Sequence, residues 1–326
     1  MENEIMNVKL KNKLEKSSMK LNAEYLKCLN ELAKADESII RLEADLMMAM
    51  GPDFCPETPE RTVNCGIQEA NMVGVGAGLS ATGFKPFLHT FGCFMTRRTF
   101  DQVFISGAYA KLNLKMVGSD PGITAKQNGG THMPFEDMGI MRLVPDAMIF
   151  DCAEPVLLKS ITSSIANIYG IQYIRFPRSF DGYAIYEDDS EFEPGKGVVL
   201  RDGNDVTIVA SGIMVGEALD AAILLENEGV SAAVIDMFTI KPIDRELLTV
   251  YAKKTGAIVT AENHNVIGGL GSAVAEALSE SCPTIMGRIG AQDKFGEVGD
   301  YDYLIRKFNM TANDIAAMAK QVIAKK

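Results

Sequence analysis

Asn64-Cys65-Gly66-Ile67-Gln68-Glu69-Ala70-Asn71-Met72 is the stretch on which the reading of this chain turns. Polar residues follow the glycine turn, and the run then passes into Gly74, Gly76, Ala77 and Gly78. That order predicts a helix over 66–79 with small residues for close packing against another backbone. Glu69 falls at its head, where the helix dipole favours a carboxylate. Taken alone, the position fits better an acidic residue that only decorates the first turn.

The flanking sequence gives the helix its setting. Ile39, Ile40 and Leu42 mark a buried strand over 38–46, and 85–94 reads as a strand leading into a turn. A helix over 99–112 follows, then strands at 115–118 and 147–152, a helix at 154–168 and a strand at 171–176. Upstream, Tyr25, Leu26, Leu29 and Leu32 stand at helical spacing within 21–34. Strands alternating with helices predict an α/β fold with a mainly parallel sheet, whose catalytic loops gather at the strand C-termini.

Glu187, Asp188, Asp189, Glu191 and Glu193, followed by Pro194 and Gly195, mark a solvated linker. A second alternating set follows: strands at 206–210, 232–235 and 257–261, and helices at 216–228, 243–252 and 271–279. A terminal helix over 311–325 has Thr311 as N-cap and Asp314 placed for a capping box. The expected organisation is therefore a helical or frayed extension at 1–20, one α/β domain over 21–186, a linker over 187–204 and a second α/β domain over 205–326.

Bulk properties narrow the function. The 326 residues carry a net charge of −11, which argues against nucleic acid as a partner. No apolar run reaches the ~18 residues that would span a bilayer, and the charged first 20 residues lack a secretory apolar core. Six cysteines form no Cys-x-x-Cys pair and there are only three histidines. That pattern argues against a zinc site or a disulfide framework, and fits reduced thiols in a cytoplasm.

A set of short motifs in fixed order makes the chain resemble the C-terminal half of the transketolase family. They are Glu43-Ala44-Asp45-Leu46, Gly66-Ile67-Gln68-Glu69, Gly78-Leu79 with Gly83, and Lys85-Pro86-Phe87. Thr90-Phe91, Phe94 and Asp101-Gln102 continue the series, followed by Gly129-Gly130-Thr131-His132 and Arg175-Phe176-Pro177-Arg178. It closes on Glu262-Asn263-His264 and Gly268-Gly269-Leu270-Gly271. The resemblance covers about residues 20–326 and implies a pyrimidine-binding domain at 21–186 and a transketolase C-terminal domain at 205–326.

The resemblance implies thiamine diphosphate as cofactor. The family glutamate matching Glu69 hydrogen-bonds N1′ of the aminopyrimidine, and so helps the ring's exocyclic nitrogen remove the thiazolium C2 proton. Phe94 and Phe91 match the aromatic wall beside the pyrimidine, Arg97 or Arg98 would add a cation, and Asp45 matches an acidic residue near the cofactor. The plain alternatives are core phenylalanines and a loop-capping aspartate. His132 matches a histidine that faces substrate hydroxyls, and Asn128 stands where an aspartate near the sugar is common. His264 reads as structural, and His89 carries little signal.

The family's Gly-Asp-Gly motif, with its later asparagine, holds the diphosphate through magnesium. It does not occur here, and Arg201-Asp202-Gly203-Asn204 reads as a linker turn. Hard oxygen ligands for Mg2+ must then come from another chain. The resemblance thus implies the small subunit of a split transketolase, active with an N-terminal partner in a heterotetramer of two large and two small subunits. Asp151 and Ala49 stand where the family uses an arginine and a serine on the sugar phosphate. An aspartate cannot make arginine's forked contact, so a modified ketose such as a sulfonated sugar becomes an alternative donor to a ketose phosphate. Rival readings are the beta subunit of a 2-oxoacid dehydrogenase, a deoxyxylulose-phosphate synthase and a non-catalytic regulatory subunit. The His132 loop and the Gly66–Glu69 spacing favour transketolase.

Overall fold

The computed structural model describes residues 7–46 and 59–326. The chain forms two compact units, Met1–Pro121 with Ile140–Pro194, and Gly122–Gly139 with Gly195–Lys326. Segment 122–139, which lies in sequence within 21–186, makes its contacts as part of the second unit.

In the first unit, β1 (Leu10–Met19) precedes α1 (Leu21–Ala35), β2 (Ile39–Glu43) and β3 (Thr62–Asn64). Then come α2 (Glu69–Ala81), β4 (Lys85–Phe91), α3 (Gly92–Thr96) and β5 (Leu114–Ser119). The unit ends with β6 (Met148–Asp151), α4 (Pro155–Ile165), β7 (Ile171–Phe176) and β8 (Phe180–Tyr186). Strands β6-β7-β5-β4-β2-β3 lie side by side and run parallel. Every residue of β2, β5 and β7 is buried, as a parallel sheet covered on both faces requires. The register aligns Glu43 with His89, Phe91 with Ser119, Ser119 with Phe176 and Asp151 with Arg175, so the strands end along one common edge.

The sequence misplaces three pieces of this unit. Residues 10–19, expected as a helical or frayed extension, form β1 and pair antiparallel with β8. The partner strand lies some 170 residues downstream, so no local pattern could reveal it. Lys16 lies opposite Tyr183, with its ammonium 4.9 Å from the ring centroid. The expected helix over 99–112 is a short turn, Phe100–Gln102, running into a π-helix at Val103–Tyr109. Helix α2 begins at Glu69, three residues later than predicted.

Lys115, at the start of β5, is fully buried and donates to Asn113 Oδ1, Ile168 O and Gln172 Oε1. Burial, reinforced by the nearby charge of Lys85, pushes its pKa down from 10.5 to about 7. Between those pH values the unfolded chain holds a proton that the folded chain has released, so this group makes stability rise with pH across the window. Below about 7 both states are charged and its slope vanishes. Urea unfolding should show the wild type gaining on Lys115→Met between pH 7 and 10, by at most about 1.4 kcal/mol per pH unit. A constant difference would refute the titration.

In the second unit, β9 (Val198–Arg201), β10 (Val206–Ala210), α5 (Met214–Asn227) and β11 (Ala232–Asp236) lead into a short β12 (Thr239–Lys241). They are followed by α6 (Arg245–Thr255), β13 (Ala257–Asn265), α7 (Leu270–Ser281), β14 (Ile285–Ala291), α8 (Tyr301–Lys307) and α9 (Ala312–Ile323). The sheet order is β14-β13-β10-β11-β9, parallel except for β9 at its edge. Strand β9 falls inside the expected linker 187–204, and neither β14 nor α8 is among the elements expected from sequence. The capping box on α9 is present: Asp314 N donates to Thr311 Oγ1 at 3.4 Å, and Thr311 N to Asp314 Oδ2 at 2.9 Å. Thr311→Ala should cost about 1 kcal/mol of stability, read as a lower urea midpoint at unchanged slope.

Candidate active site

The approach to α2 is stitched by side chains. Asn64 Oδ1 accepts from Asp45 N at 3.1 Å and from Gly66 N at 2.8 Å, while Asn64 Nδ2 donates to Asp45 Oδ1 at 3.2 Å. Cys65 N donates to Glu43 O at 2.8 Å. The ends of β2 and β3 are thus locked together, and the turn delivers Glu69 as the first residue of α2. Its side chain is only 2% exposed, in a place where free backbone N–H groups and the helix dipole favour negative charge.

Arg98 supplies the counter-charge, with Nη1 2.7 Å from Glu69 Oε2. The same guanidinium lies 4.1 Å from the ring centroid of Phe94. Phe91 closes β4 and Phe94 stands three residues on, within α3. That spacing lets their rings meet edge to face, at 6.2 Å and 75°. On the far side, the Arg178 guanidinium lies 5.2 Å from the Phe91 ring. Arg178 is fixed by Asp120, whose Oδ2 accepts from Nε at 2.7 Å and whose Oδ1 accepts from the Arg178 backbone N–H at 3.0 Å. Two rings are thus flanked by two arginines, each held by a buried carboxylate. Such cation–ring contacts contribute about 0.5–2 kcal/mol each, more as they lose water.

Of the residues expected at the site, Glu69, Phe91, Phe94 and Arg98 come together. Arg97 caps the C-terminus of α3 and is exposed, so Arg98 rather than Arg97 supplies the cation beside Phe94. Asp45 is exposed and tied to Asn64. His132 and Asn128 lie in the second unit's segment 122–139. His132 is half-buried, with Nδ1 2.9 Å from Thr131 Oγ1, and Asn128 is exposed. Asp151 is 2% exposed at the end of β6, and Arg175 Nη2 donates to it at 2.8 Å. Ala49 lies outside the described residues.

Sequence reasoning missed the Asp120–Arg178 pair, although Arg178 belongs to a quoted motif. His89 is a core residue, fully buried between Tyr25 and Phe176 with ring centroids 5.7 and 6.3 Å away. Burial first, then the charges of Arg41 and Arg178, hold its pKa well below the ordinary histidine value. Glu262, at the end of β13, accepts from Leu270 N at 2.6 Å and Gly271 N at 2.8 Å and so caps α7. Gly269 is required there, because a Cβ on it would fall 2.0 Å from Glu262 Oε2.

A buried carboxylate at a helix head beside an aromatic pair suits a flat nitrogen heterocycle: the rings pack on its plane and the acid meets a ring nitrogen. Among the described residues, no group of three or more His, Cys, Asp or Glu side chains could hold a metal ion.

Comparison with known proteins gives a consistent result. The family model "Transketolase, pyrimidine binding domain" matches residues 17–180, and "Transketolase, C-terminal domain" matches 195–315. A 6-deoxy-6-sulfo-D-fructose transketolase subunit (SqwH) of Clostridium sp. is 48% identical over 93% of this chain and 94% of its own length. One of the apulose-4-phosphate transketolase subunits of Phocaeicola vulgatus is 33% identical over 91% of this chain and 95% of its own. A solved split-gene transketolase, described as an inactive beta4 tetramer, superposes with a TM-score of 0.86 at 43% identity, covering 93% of this chain and 98% of that one.

Proposed function

Since the chain belongs to the transketolase family and is the small subunit of a two-subunit transketolase, we propose that Glu69 and the Phe91–Phe94 pair bind the aminopyrimidine ring of thiamine diphosphate. The observation that carries this is the buried Glu69 carboxylate, 2% exposed at the head of α2, beside the edge-to-face pair and Arg98. The chemistry thiamine diphosphate supplies when bound is an electron sink that lets a ketose release a two-carbon ketol unit and an aldose accept it.

Glu69 holds the proton it shares with ring nitrogen N1′, and a carboxylic acid can give and take that proton where an amide cannot. Phe91 and Phe94 exclude water from one flank of the ring, and Arg98 balances the acid's charge. Asp45 borders the cofactor from the β2 end, with Arg97 as a more distant cation. His132 moves a proton at a sugar hydroxyl, and Asn128 hydrogen-bonds a neighbouring hydroxyl. An N-terminal partner chain carrying the diphosphate–metal motif supplies the Mg2+ ligands, in a heterotetramer of two large and two small subunits. We place the enzyme in the cytoplasm. The five described cysteines form no disulfide with one another, and no helix among the described residues is long and apolar enough to cross a membrane.

For the donor, the reading favours a sulfonated ketose over an ordinary ketose phosphate. Asp151 is committed to Arg175 and offers no forked cation to a phosphate, and a relative at 48% identity is a sulfofructose transketolase subunit. The test is to reconstitute the chain with its N-terminal partner, thiamine diphosphate and Mg2+. Ketol transfer is then compared from 6-deoxy-6-sulfo-D-fructose and D-fructose 6-phosphate. At least tenfold higher kcat/KM for the sulfonate is expected, and equal values would refute the donor assignment. Absence of any cofactor-dependent transfer would refute the site itself.

A further inference from the structure

Segment 122–139, which carries Asn128 and His132, is a loop that opens on a kinked 3-10 stretch at Gly122–Asn128 and runs into a short helix at Asp137–Arg142, closed at its neck by a hydrogen bond from Gly122 N to Pro134 O of 3.0 Å. Three consecutive residues at the end of β13 fasten that neck. Asn263 Oδ1 accepts from Ile123 N at 2.9 Å, His264 Nε2 accepts from Gly139 N at 3.2 Å, and Asn265 N donates to Phe135 O at 2.8 Å. One strand end thus grips the loop where it enters and where it leaves.

The grip is buried and specific. Asn263 is 1% exposed and His264 fully buried. His264 Nδ1 lies 2.7 Å from Asn265 O, so it carries the ring proton and leaves Nε2 as acceptor for Gly139. Asp137 and Glu262, both fully buried, face the two ring nitrogens at 3.9 and 3.7 Å. Gly122 adopts φ +51°, and a Cβ there would fall 2.0 Å from Asn263 Oδ1, so the approach admits only glycine. Beyond the neck, the Phe135 and Phe308 rings pack at 5.0 Å, and the tip turns through Gly129 N to Lys126 O at 3.1 Å and His132 N to Gly129 O at 3.0 Å.

We infer that Asn263 and His264 are positioning residues that set the placement of His132 by clamping the neck of its loop. The inference rests on the reading that His132 meets the substrate. Ketol transfer depends on reacting groups held to within a fraction of an ångström, and a shift of about 1 Å costs about 10²-fold in rate. Loosening the neck should therefore act on the sugar and not on the cofactor.

The reconstituted holoenzyme tests this with the better of the two ketose donors. His264→Leu removes Gly139's acceptor and should lower kcat/KM about 10²-fold, leaving thiamine-diphosphate affinity within twofold. His264→Gln, whose Oε1 can take the same N–H, should recover activity to within about fivefold of wild type. His132→Ala alone should lose about 10²-fold, yet cost less than threefold when added to His264→Leu, because the clamp acts through that side chain. Amide exchange on the isolated chain should be accelerated by His264→Leu at Ile123, Gly139 and Asn265. Should His264→Leu fail to fold, Asn263→Ala carries the same readouts at Ile123. Additive losses, or no rescue by glutamine, would overturn the clamp. Full activity in His132→Ala alone would overturn the substrate role on which it rests.

Discussion

Glu69→Gln in the reconstituted enzyme should lower kcat by about 10²–10⁴-fold, the range that one well-placed acid or base contributes. The fold should survive, because the amide oxygen can still accept from Arg98, whose side chain is 45% exposed and stays solvated. Cofactor affinity should change far less than turnover, since Phe91 and Phe94 remain in place. Stopped-flow turnover with a parallel fluorescence titration of thiamine diphosphate separates the two effects. Turnover close to wild type in a variant that binds the cofactor normally would remove Glu69 from the chemistry.

Arg175→Met should be the most damaging single change to stability. Arg175 is fully buried and its Nη2 donates to Asp151 at 2.8 Å, so the substitution removes the guanidinium facing a carboxylate that is 2% exposed. Breaking a buried pair from one side costs about 3–5 kcal/mol. At about 2–4 °C per kcal/mol, Tm should fall by roughly 6–20 °C. Adding Asp151→Leu should return most of that loss, because two well-packed apolar residues often match a buried pair. A double variant no more stable than Arg175→Met would show that the pair does not account for the effect.

The elements legible in sequence were those whose signal is local. Strands β2, β5 and β7 each gather three or more large apolar residues within five or six positions, and the Thr311–Asp314 box is written within four residues. Glu69 and Phe94 stood out through the motif order shared with the transketolase family, since the glycine turn by itself leaves Glu69 open to a merely decorative place. What was hidden depends on pairings far apart in the chain. β1 looks like a helix until β8 is set beside it. Asp120 and Arg178 lie 58 residues apart and meet through the adjacency of β5 and β7. The choice between Arg97 and Arg98 was open in sequence, because only the geometry of α3 sets one guanidinium on Glu69 and Phe94.

The clamp at the end of β13 also orders events on the ribosome. Ile123 waits for Asn263, 140 residues later, and at about 5–20 residues per second that is roughly 7–28 s of synthesis. Until then the loop bearing His132 lacks its three fastenings to β13. A nascent chain stalled between residues 200 and 260 should therefore be cut by protease within 122–139, and one released after residue 291 should resist.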